Sequence, residues 1–517
     1  MVSLILELDL IPGQADAQLA AAASQRFHAA LSLERILKKS IDARRKDRIV
    51  VKYRAVFAAA EGDRARLIKR GAELWVPETA EKPGKASRHP RVVIVGTGPA
   101  GLFCALRLAE RGVSCTLLEQ GKAVEDRHLD VERLRAGTLD PESNVVFGEG
   151  GAGTYSDGKL TTRIHKPGIT WVFDRLVDHG APHAILYDAK PHVGTDVLST
   201  VVASIRRHLT SRGSRLLFGH KVVELVARHG RVAAVRTANG EEFEAEAVVL
   251  ACGHSARGLY ETLAASGLPL ERKGFAVGVR IEHPAEFIGR AQYGTWADRL
   301  PAADYRLTWN NPATGRGTYS FCMCPGGEVV NASSEPGLLC VNGMSYHARD
   351  LPRSNAALVT TVGPDDGPTG VLGGLEFQRE LERAAFRAGG GGQSAPACSA
   401  RAFLDRKPAL AAGTSFQPRV TAADFDAVLP PFLASELRGA LADFDRRVPG
   451  FVDQGTLIGV ETRTSSPVRI VRTAAFQSPG LAGLYPAGEG AGYAGGIVSS
   501  AVDGVRIADA LCGGVLD

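Results

Sequence analysis

Residues 91–101 read RVVIVGTGPAG, and Glu119 closes a second apolar run eighteen residues further along. Val92 to Val95 is apolar and mostly β-branched, which suits a buried parallel strand, and Gly96, Gly98 and Gly101 then supply GxGxxG at a strand-to-helix turn. The three glycines act differently. Gly96 allows the tight turn, Gly98 lets the backbone approach a pyrophosphate, and Gly101 lets the helix pack close to the strand. The helix expected from Pro99 to Arg111 aims its free N–H groups and positive dipole end at the phosphates. Gly112 stops it, Ser114 to Leu118 reads as the second strand, and Glu119 is placed to accept a hydrogen bond from a ribose hydroxyl. A carboxylate there favours a free 2′-hydroxyl, so FAD or NAD fits better than NADP. Glycine turns are common in a chain with 59 glycines, but here strand, turn, helix, strand and acid follow in the order the binding mechanism requires.

A chain of 517 residues exceeds one ordinary core and implies several domains. With 44% hydrophobic and 23% charged residues it reads as globular, and a net charge of +5 is too mild to imply nucleic acid or an anionic membrane. The opening MVSLILELDLIPGQ has no basic region and carries Glu7 and Asp9 inside its apolar stretch, unlike a signal peptide. No apolar segment approaches the roughly 20 residues that span a bilayer, so a cytoplasmic protein is expected. Eight scattered cysteines without a CxxC pair argue against a disulfide framework or structural zinc, and no metal site is assigned.

The organisation expected is a small N-terminal α/β domain at 1–85, a nucleotide domain at 86–270, a substrate domain at 271–455, and a return to the nucleotide domain at 456–517. In the first, Ser3 to Leu10 reads as a strand, Asp16 to Leu31 as a helix and Ile49 to Phe57 as a second strand. Between them the basic segment Arg35 to Arg48 reads as a solvated loop and turn, or as a surface for an acidic partner or nucleic acid. PETAEKPGKASRHP at 77–90 is a linker. After a charged helical stretch to Arg135 comes FGEGGAGTYSDGKLTTR, Phe147 to Arg163, whose glycines disfavour helix and strand and suit a loop wrapped around a ligand. Residues 194–211 form an amphipathic helix, with Val197, Val201, Ile205 and Leu209 on one face. Leu216 to Val226 and Arg231 to Thr237 read as a hairpin about His229-Gly230, and Ala247 to Gly253 as a buried strand ending in glycine. From about 270 the strands become longer and irregular, with GGGG at 389–392.

Near the C-terminus, GLYPAGEGAGYAGGI at 483–497 reads as strand, acid, flexible turn and helix start. A helix N-terminus there stabilises negative charge on a reduced flavin ring, and Glu489 can take a hydrogen bond from the ribityl chain or cooperate with a water at the pyrophosphate. The cofactor-binding set is thus Gly96, Gly98, Pro99, Ala100, Gly101, Glu119 and Gln120 from the first fingerprint, with Gly151 and Gly153 from the glycine loop. Val222, Ala251 and Gly253 join it from mid-chain, and Gly488, Glu489, Gly495, Gly496 and Ile497 from the C-terminal turn. An NAD enzyme needs no second fingerprint, so FAD is the cofactor expected. This combination resembles the glutathione-reductase-type FAD fold: a Rossmann-type α/β domain with a β-meander, split by an α+β substrate-domain insertion.

The resemblance extends further. FGEGGAGTYSDGKL at 147–160, LACGHSARGLY at 250–260, YSFCMCPGGEVVNASSE at 319–335, NGMSYHARD at 342–350, ETRTSSPVRI at 461–470 and LYPAGEGAGYAGGIVSSAVDG at 484–504 are similar to a broadly distributed family of FAD-dependent dehydrogenases. KKSIDARRK at 38–46 is similar to that family's N-terminal domain, and residues 296–316 and 385–397 match it least. The resemblance implies noncovalent FAD and an inserted substrate domain. It supplies no substrate.

Flavin carries the redox chemistry, so the protein must orient a small organic substrate against N5 and manage protons. Asp157 and Lys159, at the end of the glycine loop, are the first candidates beside the isoalloxazine. Cys322 and Cys324 form a CxC pair that on a regular strand would share one face, either as apolar filler or as a redox-active pair. Arg280, His347, Arg349 and Arg463 are candidates for binding a substrate carboxylate or phosphate. There is no second GxGxxG unit, which leaves transient NAD(P)H docking, a protein donor or the organic substrate itself as electron source. Two rival functions stay open. A flavin monooxygenase is raised by GHSAR at 253–257, which lacks the acid expected of the hydroxylases' motif. A flavoprotein in RNA modification or a regulatory complex would dock through Lys38 to Arg48, although nucleic acid is not favoured by the overall charge.

Overall fold

The computed structural model describes residues 1–14, 16–77, 84–162, 168–407 and 413–513. The linker residues 78–83 and Arg163 at the end of the glycine loop lie outside the described residues. Among the described residues, a five-stranded parallel sheet has the order Leu484–Pro486, Ala247–Leu250, Val92–Val95, Cys115–Glu119, Arg215–Phe218. Its period-two alternation serves two cores. Val92, Ile94 and Leu117 pack under the helices Pro99–Glu110, Thr195–Ser211 and Ile497–Leu511, while Val93, Val95 and Leu118 pack toward Val222, Val235 and Tyr260 on the other face. That burial on both faces is why these strands read as unbroken apolar runs.

The expected strand Leu216 to Val226 is two strands. Arg215–Phe218 edges the parallel sheet, the chain turns at Gly219 (φ +71°), and Val222–Arg228 begins a three-stranded meander with Arg231–Thr237 and Glu242–Glu244. The apolar run continues through the break, which is why periodicity alone did not divide it. The hairpin turn does fall at His229 and Gly230, both with positive φ.

The chain leaves this domain through Leu270–Arg272 and re-enters through Val468–Ile470, two strands paired antiparallel. Between them lies a seven-stranded sheet in the order Thr308–Asn310, Gly317–Cys324, Arg353–Val362, Phe275–Pro284, Thr456–Glu461, Ala395–Ser399, Val420–Ala422. Thr456–Glu461, expected in the returning nucleotide domain, is a central strand here, bonded to Phe275–Pro284 and Ala395–Ser399. Helices Gly373–Ala388 and Pro431–Arg447 pack through Phe377, Leu381, Leu437 and Phe444 into the same core, and the glycines at 389–392 follow the first of them.

In the N-terminal domain the order is Ser32–Asp42, Val50–Ala59, Val2–Leu10, Glu73–Leu74, with helices Leu19–Phe27 and Arg64–Lys69 on one face. The helix expected to Leu31 stops at His28, which adopts a left-handed conformation (φ +51°). The basic segment is largely a strand rather than a loop: Ser32–Asp42 pairs with Val50–Ala59 along its length. Its charges reflect an edge position, where Lys and Arg are tolerated in solvent. Several are neutralised locally, as Lys39 by Asp16, Arg44 by Asp42 and Arg45 by Asp47. At one point, Lys39, the outer backbone of this strand bonds the segment 187–189: Lys39 N donates to Tyr187 O and Ala189 N to Lys39 O, each at 2.8 Å. Among the described residues no helix is long and apolar enough to cross a membrane.

Candidate functional site

The C-terminal ends of the parallel strands open into one cavity of about 1600 Å³ that runs from the GxGxxG turn to the wall of the seven-stranded sheet. Gly96 sits at φ +99°, and a Cβ there would meet Ala251 O at 2.4 Å. A Cβ on Gly101 would stand 2.1 Å from Gly96 O, so this position is dictated by helix–strand contact, and Gly101 does not line the cavity. Gly98 differs: the nearest protein atom to its Cβ position is Gly151 Cα at 3.9 Å, so the space in front of it belongs to the cavity. Pro99 begins the helix whose N–H groups face that space.

Glu119 is nearly buried at the cavity wall and already has four donors. Its Oε2 accepts from Thr97 N at 3.0 Å and Thr97 Oγ1 at 2.8 Å, and its Oε1 from Gly121 N at 3.1 Å and Gly148 N at 3.0 Å. A ribose hydroxyl would share an oxygen that braces three loops. The glycine loop is clamped from below by Arg127, fully buried, whose guanidinium donates to the carbonyls of Asn144, Val145 and Glu149 at 2.6–2.9 Å and lies over the Tyr155 ring. Burial pulls its pKa down to about 10. Nothing in a charged helical stretch distinguished Arg127 from its solvated neighbours, and the signal that could have done so is Gly148, whose Cβ would strike Arg127 Cδ at 2.4 Å.

The C-terminal turn is pinned by a pair absent from the expected set. Arg472 donates to both Asp503 oxygens at 2.7–2.8 Å and to Pro486 O, while Asp503 accepts from Gly488 N at 2.8 Å. Gly488 therefore shapes the turn rather than lining the cavity, whereas Glu489, Gly495, Gly496 and Ile497 line it. Gln120, Gly151, Gly153, Val222, Ala251, Gly253 and Ala100 line it as well. Burial pushes the Glu489 carboxyl up to about 7, and His254 Nδ1 stands 3.9 Å away.

Asp157, Lys159 and Cys322 lie on the cavity wall; Cys324 lies behind it. Burial would raise the Asp157 carboxyl, but Lys159 and Arg349 bring it down to about 2. Arg349 thus serves Asp157 instead of a ligand, and His347 stacks on His192 with its Nδ1 2.9 Å from Val193 O. Arg280 is bound to Glu461 and Arg463 to Glu382, so the four groups expected to bind substrate anions are taken up internally. Glu382, fully buried, also accepts both Arg257 nitrogens at 2.7 and 2.9 Å and Thr462 Oγ1, tying the GHSAR segment to the insert. The strand bearing the CxC pair is not regular: register with Arg353–Val362 slips between Phe321 and Cys324, and Cys322 has φ +42°. The bulge, not simple alternation, brings the Cys324 thiol onto the Cys322 carbonyl.

The donor set suits a dinucleotide flavin. A glycine cradle faces open space, two helix N-termini converge on it, and Ser255 Oγ, His254 Nε2 and Tyr305 OH are buried without a hydrogen-bond partner among the described residues. Three family models match the chain: FAD-dependent protein, C-terminal domain-like, over 274–464; FAD dependent oxidoreductase over 198–333; and FAD binding domain over 91–130. A Clostridium beijerinckii protein, described as uncharacterized, is 43% identical over 495 residues, covering 92% of this chain and 91% of its own. Among solved structures, glycine oxidase from Geobacillus kaustophilus aligns over 83% of this chain and 96% of its own at 14% identity and a TM-score of 0.35. CtdE, solved in complex with FAD, aligns over 82% and 84% at 12% identity and 0.34. Scores this low assign no substrate.

Proposed function

This chain belongs, with the Clostridium beijerinckii protein, to a family of FAD-dependent oxidoreductases, and from that premise we propose that it oxidises or reduces a small organic molecule by hydride transfer at flavin N5. The observation that carries this reading is the continuity of the cavity. It runs from the Gly96–Pro99 turn past Lys159 and Gly495–Ile497 to Tyr305, Tyr319 and Phe321 on the insert, and at about 1600 Å³ it exceeds the roughly 300–1,000 Å³ of a site for one drug-sized ligand. We divide the chain into an N-terminal domain, a split glutathione-reductase-like FAD domain and an inserted substrate domain, with the insert extended through Glu461.

FAD supplies the two-electron acceptor when bound. Gly98 and the N-terminus of Pro99–Glu110 would take its pyrophosphate, with the adenosine end toward Gln120 and Val222. The N-terminus of Ile497–Leu511 would face the pyrimidine edge of the ring, where negative charge develops on reduction. Burial works against the charge on Lys159, but Asp157 and the sulfurs of Cys324 and Cys322 together outweigh it and raise its pKa, so it would hold a proton and a positive charge on the cavity wall beside the ring. On the substrate side the insert contributes Tyr305, Tyr319, Ser320 and Phe321 to the wall.

The test is a visible spectrum of the purified protein, titrated anaerobically with NADH and then NADPH. A flavin that bleaches directs the search to a reducible substrate, while one that stays oxidised directs it to a dehydrogenase substrate or a protein donor. A protein that takes up no FAD on reconstitution would overturn the reading. Rapid NAD(P)H oxidation stimulated by an aromatic compound would favour the monooxygenase instead.

A further inference from the structure

Cys322 occupies a conformation that L-residues avoid. Left-handed backbone crowds Cβ against the following carbonyl in any residue other than glycine, yet the strand bulges to adopt it on the cavity wall. The consequence is local: the Cys324 thiol turns back on its neighbour and donates to the Cys322 carbonyl, Sγ to O 3.4 Å. Two cations frame the pair. Arg280 Nη1 stands 3.7 Å from Cys324 Sγ, and the buried Lys159 Nζ acts on both sulfurs from the glycine loop. The neighbouring Cys324 thiol, with these cations, holds the Cys322 thiol below its ordinary range against the opposing effect of burial. Cys252, also on the cavity wall, lacks such company, and burial pushes it up to about 12. Apolar filler needs neither a bulge nor a cationic frame.

We propose that Cys322 and Cys324 form a redox-active pair that exchanges two electrons with the flavin, Cys322 being the sulfur that faces it. This rests on the FAD reading above. In the step, reduced flavin gives up two electrons and its N5 proton and ends oxidised. The Cys322–Cys324 S–S bond breaks, Cys322 keeps an electron pair as thiolate, and Cys324 takes the proton as thiol. In the opposite direction the dithiol reduces the flavin and the S–S bond forms. The substrate of the oxidoreductase supplies or withdraws the electrons, and Lys159 and Arg280 stabilise the thiolate.

The experiment is an anaerobic dithionite titration of the FAD-loaded protein, paired with alkylation under denaturing conditions and mass analysis of the peptide carrying both cysteines. The air-oxidised protein should yield that peptide unalkylated and lighter by two hydrogens. Full reduction should consume twice as many electrons per flavin as in Cys324→Ser or Cys322→Ser, with a long-wavelength thiolate–flavin band at the halfway point. Equal consumption in all three proteins, with both thiols alkylated in the oxidised sample, overturns the pair and leaves the FAD reading standing. Because the wild type alone gives the stoichiometry and the peptide mass, variants that fail to fold leave the answer intact. A protein without flavin after reconstitution overturns both.

Discussion

The Asp157 carboxylate lies 2.9 Å from the Lys159 ammonium and also accepts from Arg349 Nε at 3.0 Å, so one buried anion joins the glycine loop to a residue 192 positions away. Ser345 Oγ donates to the same carboxylate. The cluster fixes the loop against the insert and sets the charge that faces the cavity.

Replacing Asp157 by Asn leaves two cations without their anion. Breaking a buried pair from one side costs about 3–5 kcal/mol, so Asp157→Asn should lose stability on that scale in urea unfolding. The wild-type carboxyl is at about 2 when folded, against 3.8 unfolded. Its stabilisation is therefore full above about 3.8 and disappears as pH falls through about 2, and the variant should lack that part of the acid limb. An acid limb identical to wild type would contradict the assignment.

Glu489 carries the opposite sign. Its carboxyl is at about 7 in the folded protein and 4.5 unfolded, so the native state holds the proton more tightly. That stabilisation is full below about 4.5 and is lost as pH rises through about 7. Unfolding midpoints measured across this window should fall with pH in the apoprotein and be flatter in Glu489→Gln.

Gly98 and Gly101 should separate binding from folding. A Cβ at 101 meets the Gly96 carbonyl, so Gly101→Ala should destabilise the apoprotein by roughly 1–3 kcal/mol. A Cβ at 98 makes only an ordinary van der Waals contact, with Gly151 Cα at 3.9 Å, and the backbone there has negative φ, so Gly98→Ala should melt like wild type. It should bind FAD at least about tenfold more weakly, or about 1.4 kcal/mol, by fluorescence titration. Unchanged affinity would remove the pyrophosphate from this turn.

Glu382 holds Arg257 of the nucleotide domain and Arg463 beyond the insert in one buried carboxylate. Glu382→Gln should lower stability by about 3–5 kcal/mol and expose the junction between the two sheets to limited proteolysis before either core melts. A protease pattern and melting temperature equal to wild type would show that the junction does not depend on this carboxylate.

Much of the architecture is legible in local spacing. The strand at Val92–Val95, the glycine turn, the helices at 99–110, 195–211 and 497–511, and the meander turn at His229-Gly230 all follow from periodicity and from residues that the backbone itself demands. Such signals lie within a few residues of one another, so the chain carries them without its fold. Partnership does not. Arg280, Arg349 and Arg463 read as free cations until packing brings Glu461, Asp157 and Glu382 to them, and Arg127 looks solvated until the glycine loop closes over it. The strand at Ser32–Asp42 is decided by Val50–Ala59 beside it, and the place of Thr456–Glu461 by strands 60 and 180 residues or so upstream in the seven-stranded sheet. Sequence determined the cofactor class because a dinucleotide is recognised by backbone at one turn. The tertiary structure alone decided which charges remain for chemistry, because a charge is free or spent according to what stands within a few ångströms of it, and that distance is set by residues far apart in the chain.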